Sequence, residues 1–133
     1  MPVLKKILIT VFLISGLITA SVQSQAQIPN EILLSLQSGN AKVLSRYFNQ
    51  NVDLVVLDDQ NVYSKAQAQQ IVGNFFSNYP PESFSIVHDS GKEGSKYVIG
   101  TLKTKNGSFR VYFLLKQNEG KEYIHQLRIE KLK

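Results

Sequence analysis

The sequence predicts an α+β domain in which N-terminal helices pack on a curved, mostly antiparallel sheet. Three observations predict it. Helical spacing of apolar residues is confined to the part of the chain before Tyr79. From Phe84 onward, apolar and polar residues alternate in runs separated by turn residues. The one long helical stretch, Ser64 to Asn78, stands directly before those runs and can form one wall of a single core. At 133 residues and 43% hydrophobic, the chain has room for one such core. It has no cysteine, which removes disulfides, thiolate nucleophiles and Cys-based metal sites together.

Lys5 and Lys6 precede an apolar run from Ile7 to Ala20, followed by small and polar residues. This is the pattern of a secretory signal peptide, and the run is shorter than the roughly 20 residues of a bilayer-spanning helix. Ser24 and Ala26 fit the small-x-small cleavage rule, so residues 1–26 are expected to be removed and 27–133 to form a single periplasmic or secreted domain. An uncleaved segment acting as a membrane tether is the alternative; otherwise membrane contact ends at cleavage. Gln27 to Ser90 holds three basic and six acidic residues, and Gly91 to Lys133 ten basic and four acidic. The C-terminal half is therefore electropositive, yet the excess is modest and no nucleic-acid partner is expected.

Pro29 and Glu31 suit the first turn of a short helix whose apolar stripe is Ile32, Leu33 and Leu36. Gly39 stops it. Asn40 caps a second short helix carrying Val43, Leu44, Tyr47 and Phe48. Val52 to Leu57 is a β-branched run, Asp58 to Asn61 has turn chemistry, and Val62-Tyr63 returns as a brief strand. Ser64 and Gln67 form an S-x-x-Q capping box for the central helix, whose buried face is expected to hold Ala66, Ile71, Val72, Phe75 and Phe76. Pro80 and Pro81 end it.

Asn106-Gly107 signals a two-residue hairpin loop pairing Lys105 with Ser108, which sets Leu102 against Val111 and Gly100 against Phe113. Asn118-Glu119-Gly120 reads as a three-residue loop, setting Val111 against Leu127, Phe113 against His125 and Lys116 against Glu122. Alternation then gives an inner face of Phe84, Ile86, Val98, Leu102, Phe109, Val111, Phe113, Leu115, Leu127 and Ile129. The outer face carries Ile99, Leu114 and Ile124 in one row, Thr101, Tyr112 and Gln126 in a second, and Lys103, Arg110 and Arg128 in a third. Gly100 lies on the inner face, where its missing side chain permits a bend or a close approach.

The stretch SGNAKVLSRYFNQNVDLVVLDDQNVYSKAQAQQIVGNFF, with SKYVIGTLKTKNGSFRVYFLLK and QLRIEK, resembles a family of small exported bacterial domains of unknown function within the NTF2-like (SnoaL-like, cystatin-like) superfamily. The likeness runs from about Asn30 to Lys131. It implies a conical α+β domain, often dimeric through the outer sheet face, with a pocket between helices and sheet. It implies no particular activity, because the superfamily hosts isomerases, dehydratases, transport factors and inert binding domains. No catalytic set of its enzymes maps onto this sequence.

His125 is the candidate general base, since the expected register turns it into the cone beside Leu127. Tyr47, Tyr63, Phe75, Phe84 and Phe113 are the further residues expected to line a ligand pocket there, although aromatic sets of this kind also make plain core. His88 shares the expected inner face, but three strands of separation, about 14 Å, keep it from pairing with His125 in a metal site. Asp58-Asp59 lacks the spaced oxygens of a calcium loop, and there is no phosphate loop, nucleophile elbow or H-E-x-x-H motif. No metal and no cofactor are expected. The row Lys103, Arg110, Arg128 places like charges on neighbouring strands and needs an offset: solvent, an acid such as Asp53, or an anionic group of a partner. Ile99, Tyr112, Leu114 and Ile124 would form an apolar patch suited to a homodimer. The leading expectation is an exported, non-catalytic module that binds a small ligand or a protein. An isomerase or hydratase using His125 with Tyr63 or Tyr47, and a structural partner in an envelope assembly, are the alternatives.

Overall fold

A computed structural model describes residues 28–133, so the signal-peptide reading of residues 1–26 lies outside the described residues. Helix α1 (Asn30–Ser38) and helix α2 (Ala41–Leu44) lead through a 3₁₀ turn (Ser45–Tyr47) into strand β1 (Phe48–Val56) and strand β2 (Asp59–Ser64). Helix α3 (Lys65–Asn78) follows. The chain ends in the meander β3 (Pro81–Lys92), β4 (Ser95–Thr104), β5 (Gly107–Asn118) and β6 (Lys121–Lys131). The six strands form one sheet in the order β2-β1-β6-β5-β4-β3. Only the β1–β6 pair is parallel.

The expected caps form. Asn40 Oδ1 accepts from the Val43 N–H at 3.1 Å. Ser64 and Gln67 complete a reciprocal capping box, which ties two orphan N–H groups of α3 and fixes where the helix begins. Pro29 is the cap of α1 rather than its first helical residue. The buried stripe of α3 is Ala68, Val72, Phe75 and Phe76, at i, i+4, i+7 and i+8; Ala66 is exposed and Ile71 only partly buried. Phe75 packs edge-on against Phe109 at 5.0 Å and stacks with Tyr79 at 5.0 Å, joining the helix to the sheet.

The first hairpin is tighter than its acidic residues suggested. Val56 pairs with Asp59 across a turn of Leu57 and Asp58, so Asp59 to Asn61 belong to β2, and Phe48 opens β1 rather than closing α2. The two later hairpins exchange roles. At Asn106-Gly107 the loop is Lys105-Asn106, pairing Thr104 with Gly107. Only Gly107 there takes positive φ, while Thr104 Oγ1 accepts from the Asn106 N–H and donates to the Gly107 carbonyl. The turn with positive φ at both positions is Glu119-Gly120, a two-residue loop pairing Asn118 with Lys121.

Both registers therefore differ from expectation by two residues over most of their length: Leu102 faces Phe109, Gly100 faces Val111, and Phe113 faces Leu127. A shift of two preserves each strand's faces. Val98, Leu102, Phe109, Val111, Phe113, Leu127 and Ile129 are fully buried as expected. Two bulges do alter faces. In β3, Val87 stands between the Ile86–Gly100 and His88–Ile99 pairs; in β6, His125 stands between the Gln126–Leu114 and Ile124–Leu115 pairs. Gly100 serves the close approach, because the Phe84 ring of β3 lies where a side chain at 100 would be.

Candidate functional site

The two bulges decide where the histidines go. Ile124 turns into the core, with no exposed surface, so it is not part of the outer apolar row. His125 is the extra residue of its bulge and has no cross-strand partner. It is half-buried beside Lys116, and burial first, then the Lys116 charge, hold its pKa below the usual histidine value. Ile124 and Leu127 on either side of the bulge are both turned into the core, so His125 does not hold the inner-face position that strict alternation with Leu127 assigned to it. His88 pairs with Ile99 and its ring lies 6.1 Å from Tyr97, which in turn lies 5.9 Å from Tyr112. It stands on the outer face rather than the inner one.

The expected pocket residues are not gathered around one opening. Phe75 and Phe113 are core, and Phe84 packs against that core over Gly100. Tyr47 donates its hydroxyl to Glu31 at 3.0 Å, and burial together with this bond raises its pKa. Tyr63 donates to Asp59 at 2.7 Å, and that hydrogen bond is the main cause of its own raised pKa.

What the fold does bring together is the outer face of β4, β5 and β6. One row across the sheet runs His88, Ile99, Tyr112, Arg128 and Val55; the next runs Tyr97, Leu114, Gln126 and Asp53; the third runs Thr101, Arg110 and Glu130. Ile99, Arg110, Tyr112, Gln126, Arg128 and Glu130 surround a shallow cavity of about 270 Å³. Four of these six belong to the two surfaces expected from sequence, which merge into one.

The row of three cations does not exist. With the observed registers Lys103 pairs with Ser83 and Ser108, Arg110 with Thr101 and Glu130, and Arg128 with Tyr112 and Val55. The offset to Arg128 is Glu130, whose Oε1 lies 2.9 Å from Arg128 Nη2. Asp53 instead accepts a long hydrogen bond, 3.4 Å, from Gln126. Nor is there a cross-strand Lys116–Glu122 pair, since Glu122 faces Gln117. Glu130 and Tyr97 were missed as site residues, although their two-residue spacing from Arg128 and Ile99 assigns them the same face. Among the described residues, no group of three or more His, Cys, Asp or Glu is placed to hold a metal.

Helices on one face of a six-stranded mixed sheet, with a single parallel pair beside the meander, define an α+β domain of the NTF2-like, cystatin-like class. A structure named as an NTF2 variant is 15% identical, with a TM-score of 0.62, covering 75% of this chain and 90% of that one. A domain of unknown function with a cystatin-like fold from Nostoc punctiforme is 6% identical, with a TM-score of 0.63, covering 78% and 72%. Within that class the chain belongs to the DUF4783 family, a domain of unknown function whose profile matches residues 29–130. A DUF4783 family protein from Bacteroides uniformis is 33% identical, with a TM-score of 0.76, covering 80% of this chain and 99% of that one. A comparison with curated proteins finds no match.

Proposed function

We propose that this protein is an exported, non-catalytic binding module that works as a homodimer through the outer face of β4, β5 and β6. The observation that carries the reading is an apolar, uncompensated surface on one side of the sheet. Ile99, Tyr112 and Leu114 are half-buried there, and among the described residues the helices pack on the opposite face. Charge arrangement favours a two-fold contact. Arg128 is held by Glu130, while Arg110, directly opposite Glu130, makes no ion pair among the described residues. A second copy turned about a two-fold axis would offer its own Glu130 to that arginine and its own Tyr112 to Ile99, as an isologous interface requires.

Light scattering with Tyr112→Glu tests this. The wild type is expected at twice the chain mass and the variant at the monomer mass, because a buried unpaired carboxylate at the centre of an interface is strongly disfavoured. A wild type that stays monomeric at all accessible concentrations overturns the reading. Export rests on the Lys5-Lys6 and Ile7–Ala20 pattern. It is tested by cell fractionation and the mass of the mature chain, with Gln27 the expected first residue.

A further inference from the structure

At one end of the sheet the ladder between β1 and β6 is interrupted. Phe48 is level with Ile124 and Asp53 with Gln126, so four residues, Asn49 to Val52, stand against the single residue His125. Pairing of β1 with β2 begins only at Asn51, which leaves Asn49 and Gln50 without a cross-strand partner in either register. A bow of this size forfeits ladder hydrogen bonds, and it is built from three consecutive carboxamides, a residue type poorly suited to strands. Of its four residues only Val52 is buried in the core, while Gln50 and Asn51 are exposed.

The bow opens a cleft of about 520 Å³. Its walls include Asn49, Gln50 and Asn51, together with Asn118 from the β5–β6 hairpin, Lys65 from the first turn of α3, and Tyr123. A neighbouring cleft of about 500 Å³ shares Lys65 and Tyr123 and extends past Tyr47 to Arg46 and Lys121, with Glu122 as the acid on its wall. Each volume lies in the range of small-ligand sites, about 300–1,000 Å³.

The lining sets the chemistry of an occupant. Each carboxamide presents a donor and an acceptor side by side, which matches vicinal hydroxyls. Tyr123, half-buried, presents an amphipathic ring to a flat partner. Arg46, Lys65 and Lys121 make no ion pair among the described residues, and the Lys65 ammonium donates only to the Arg46 carbonyl, at 3.5 Å. The wall is thus rich in hydroxyl-matching groups and carries excess positive charge.

We propose that these two adjoining clefts together bind an acidic saccharide, with the carboxamides on its hydroxyls, Tyr123 against a sugar face, and Lys65 and Arg46 at its carboxylate. The site is separate from the outer-face contact and stands or falls independently of it. Titration calorimetry of the full chain with a galacturonic acid tetramer tests the assignment, with maltotetraose and inorganic phosphate as comparison ligands. The acidic tetramer is expected to bind and to weaken with added salt. Tyr123→Ala and Asn118→Ala are each expected to lose about tenfold in affinity, and Lys65→Gln about fivefold, corresponding to one lost hydrogen bond or stacking contact.

Folding of each variant is checked by circular dichroism. Amide shifts at Asn49 to Asn51 in the wild type give a second readout that needs no variant. Absence of binding at millimolar tetramer overturns the proposal. So does equal affinity for maltotetraose, which makes the charge irrelevant, or equal affinity for phosphate, which makes the cleft a bare anion site. Wild-type affinity in all three variants, with no shifts at Asn49 to Asn51, places the ligand elsewhere and likewise overturns it.

Discussion

On the inner face of the sheet Val98, Leu102, Phe109, Val111 and Phe113 have no exposed surface, whereas on the outer face of the same strands Ile99, Tyr112 and Leu114 remain half-buried beside exposed arginines. Both faces come from the same alternation and the same hairpins. The inner one is closed by α3 and its aromatic contacts, so its residues are set by packing alone. The outer one combines apolar side chains with Arg110, Arg128 and Glu130, a mixture that neither a core nor an ordinary solvated face requires. On the reading proposed above, stability and recognition are divided between the two sides of three strands.

Substitutions that separate the two sides test this division. Phe113→Ala, on the inner face, is expected to cost about 3–5 kcal/mol in urea unfolding, because it removes a fully buried ring and leaves a cavity. Gly100→Val is expected to cost about 1–3 kcal/mol, since the added atoms meet the Phe84 ring and the Ser85 carbonyl; combining it with Phe84→Leu should recover part of the loss. Glu130→Gln, on the outer face, is expected to change the stability of the monomer by about 1 kcal/mol or less, with the effect shrinking in salt, because the Arg128 pair it breaks is nearly half exposed. An outer-face cost equal to that of Phe113→Ala would erase the division.

The smallest effect is pH-dependent. Burial and Lys116 depress the pKa of His125 in the folded state, so unfolding takes up a proton there at mildly acidic pH. Stability from this source is present above the unfolded value of about 6.5 and is lost as pH falls through the lower folded value. His125→Gln is expected to flatten that part of the stability-against-pH curve, measured by thermal unfolding in a buffer series.

The faces were legible in the sequence because alternation survives a register error of two, and Val98, Leu102 and Phe109 needed nothing more. The pairings were not legible. Asn106-Gly107 carries the stronger primed-turn signal, yet Thr104 captures that loop with its hydroxyl and the primed geometry falls to Glu119-Gly120. Position within a hairpin is a local choice between turns close in energy, and packing across strands decides it. The bulges at Val87 and His125 were hidden for a different reason. The second of these lies where β6 must match β5 on one side and the bowed β1 on the other, a constraint no stretch of β6 contains by itself. Both histidines, and hence the catalytic candidate, depended on those bulges. Arg110, Arg128, Ile99 and Tyr112 did not and keep the outer face expected of them, but the register shift of two breaks the row of three cations and brings together two surfaces expected to be separate.

The Phe84 ring over Gly100 has a consequence for how the molecule opens. Strand β3 borders the sheet on one side only, and most of its residues from Glu82 onward are exposed. Phe84 is its one side chain packed against the core cluster. Amide exchange should therefore be fastest in β3 away from Phe84 and slowest across the β5–β6 pair. The sheet would peel from this border in steps, starting at the far end of β3 and halting where Phe84 covers Gly100 and Pro81 sits against Gly39 at the end of α1, while the strands bearing the arginines stay closed until the whole domain unfolds.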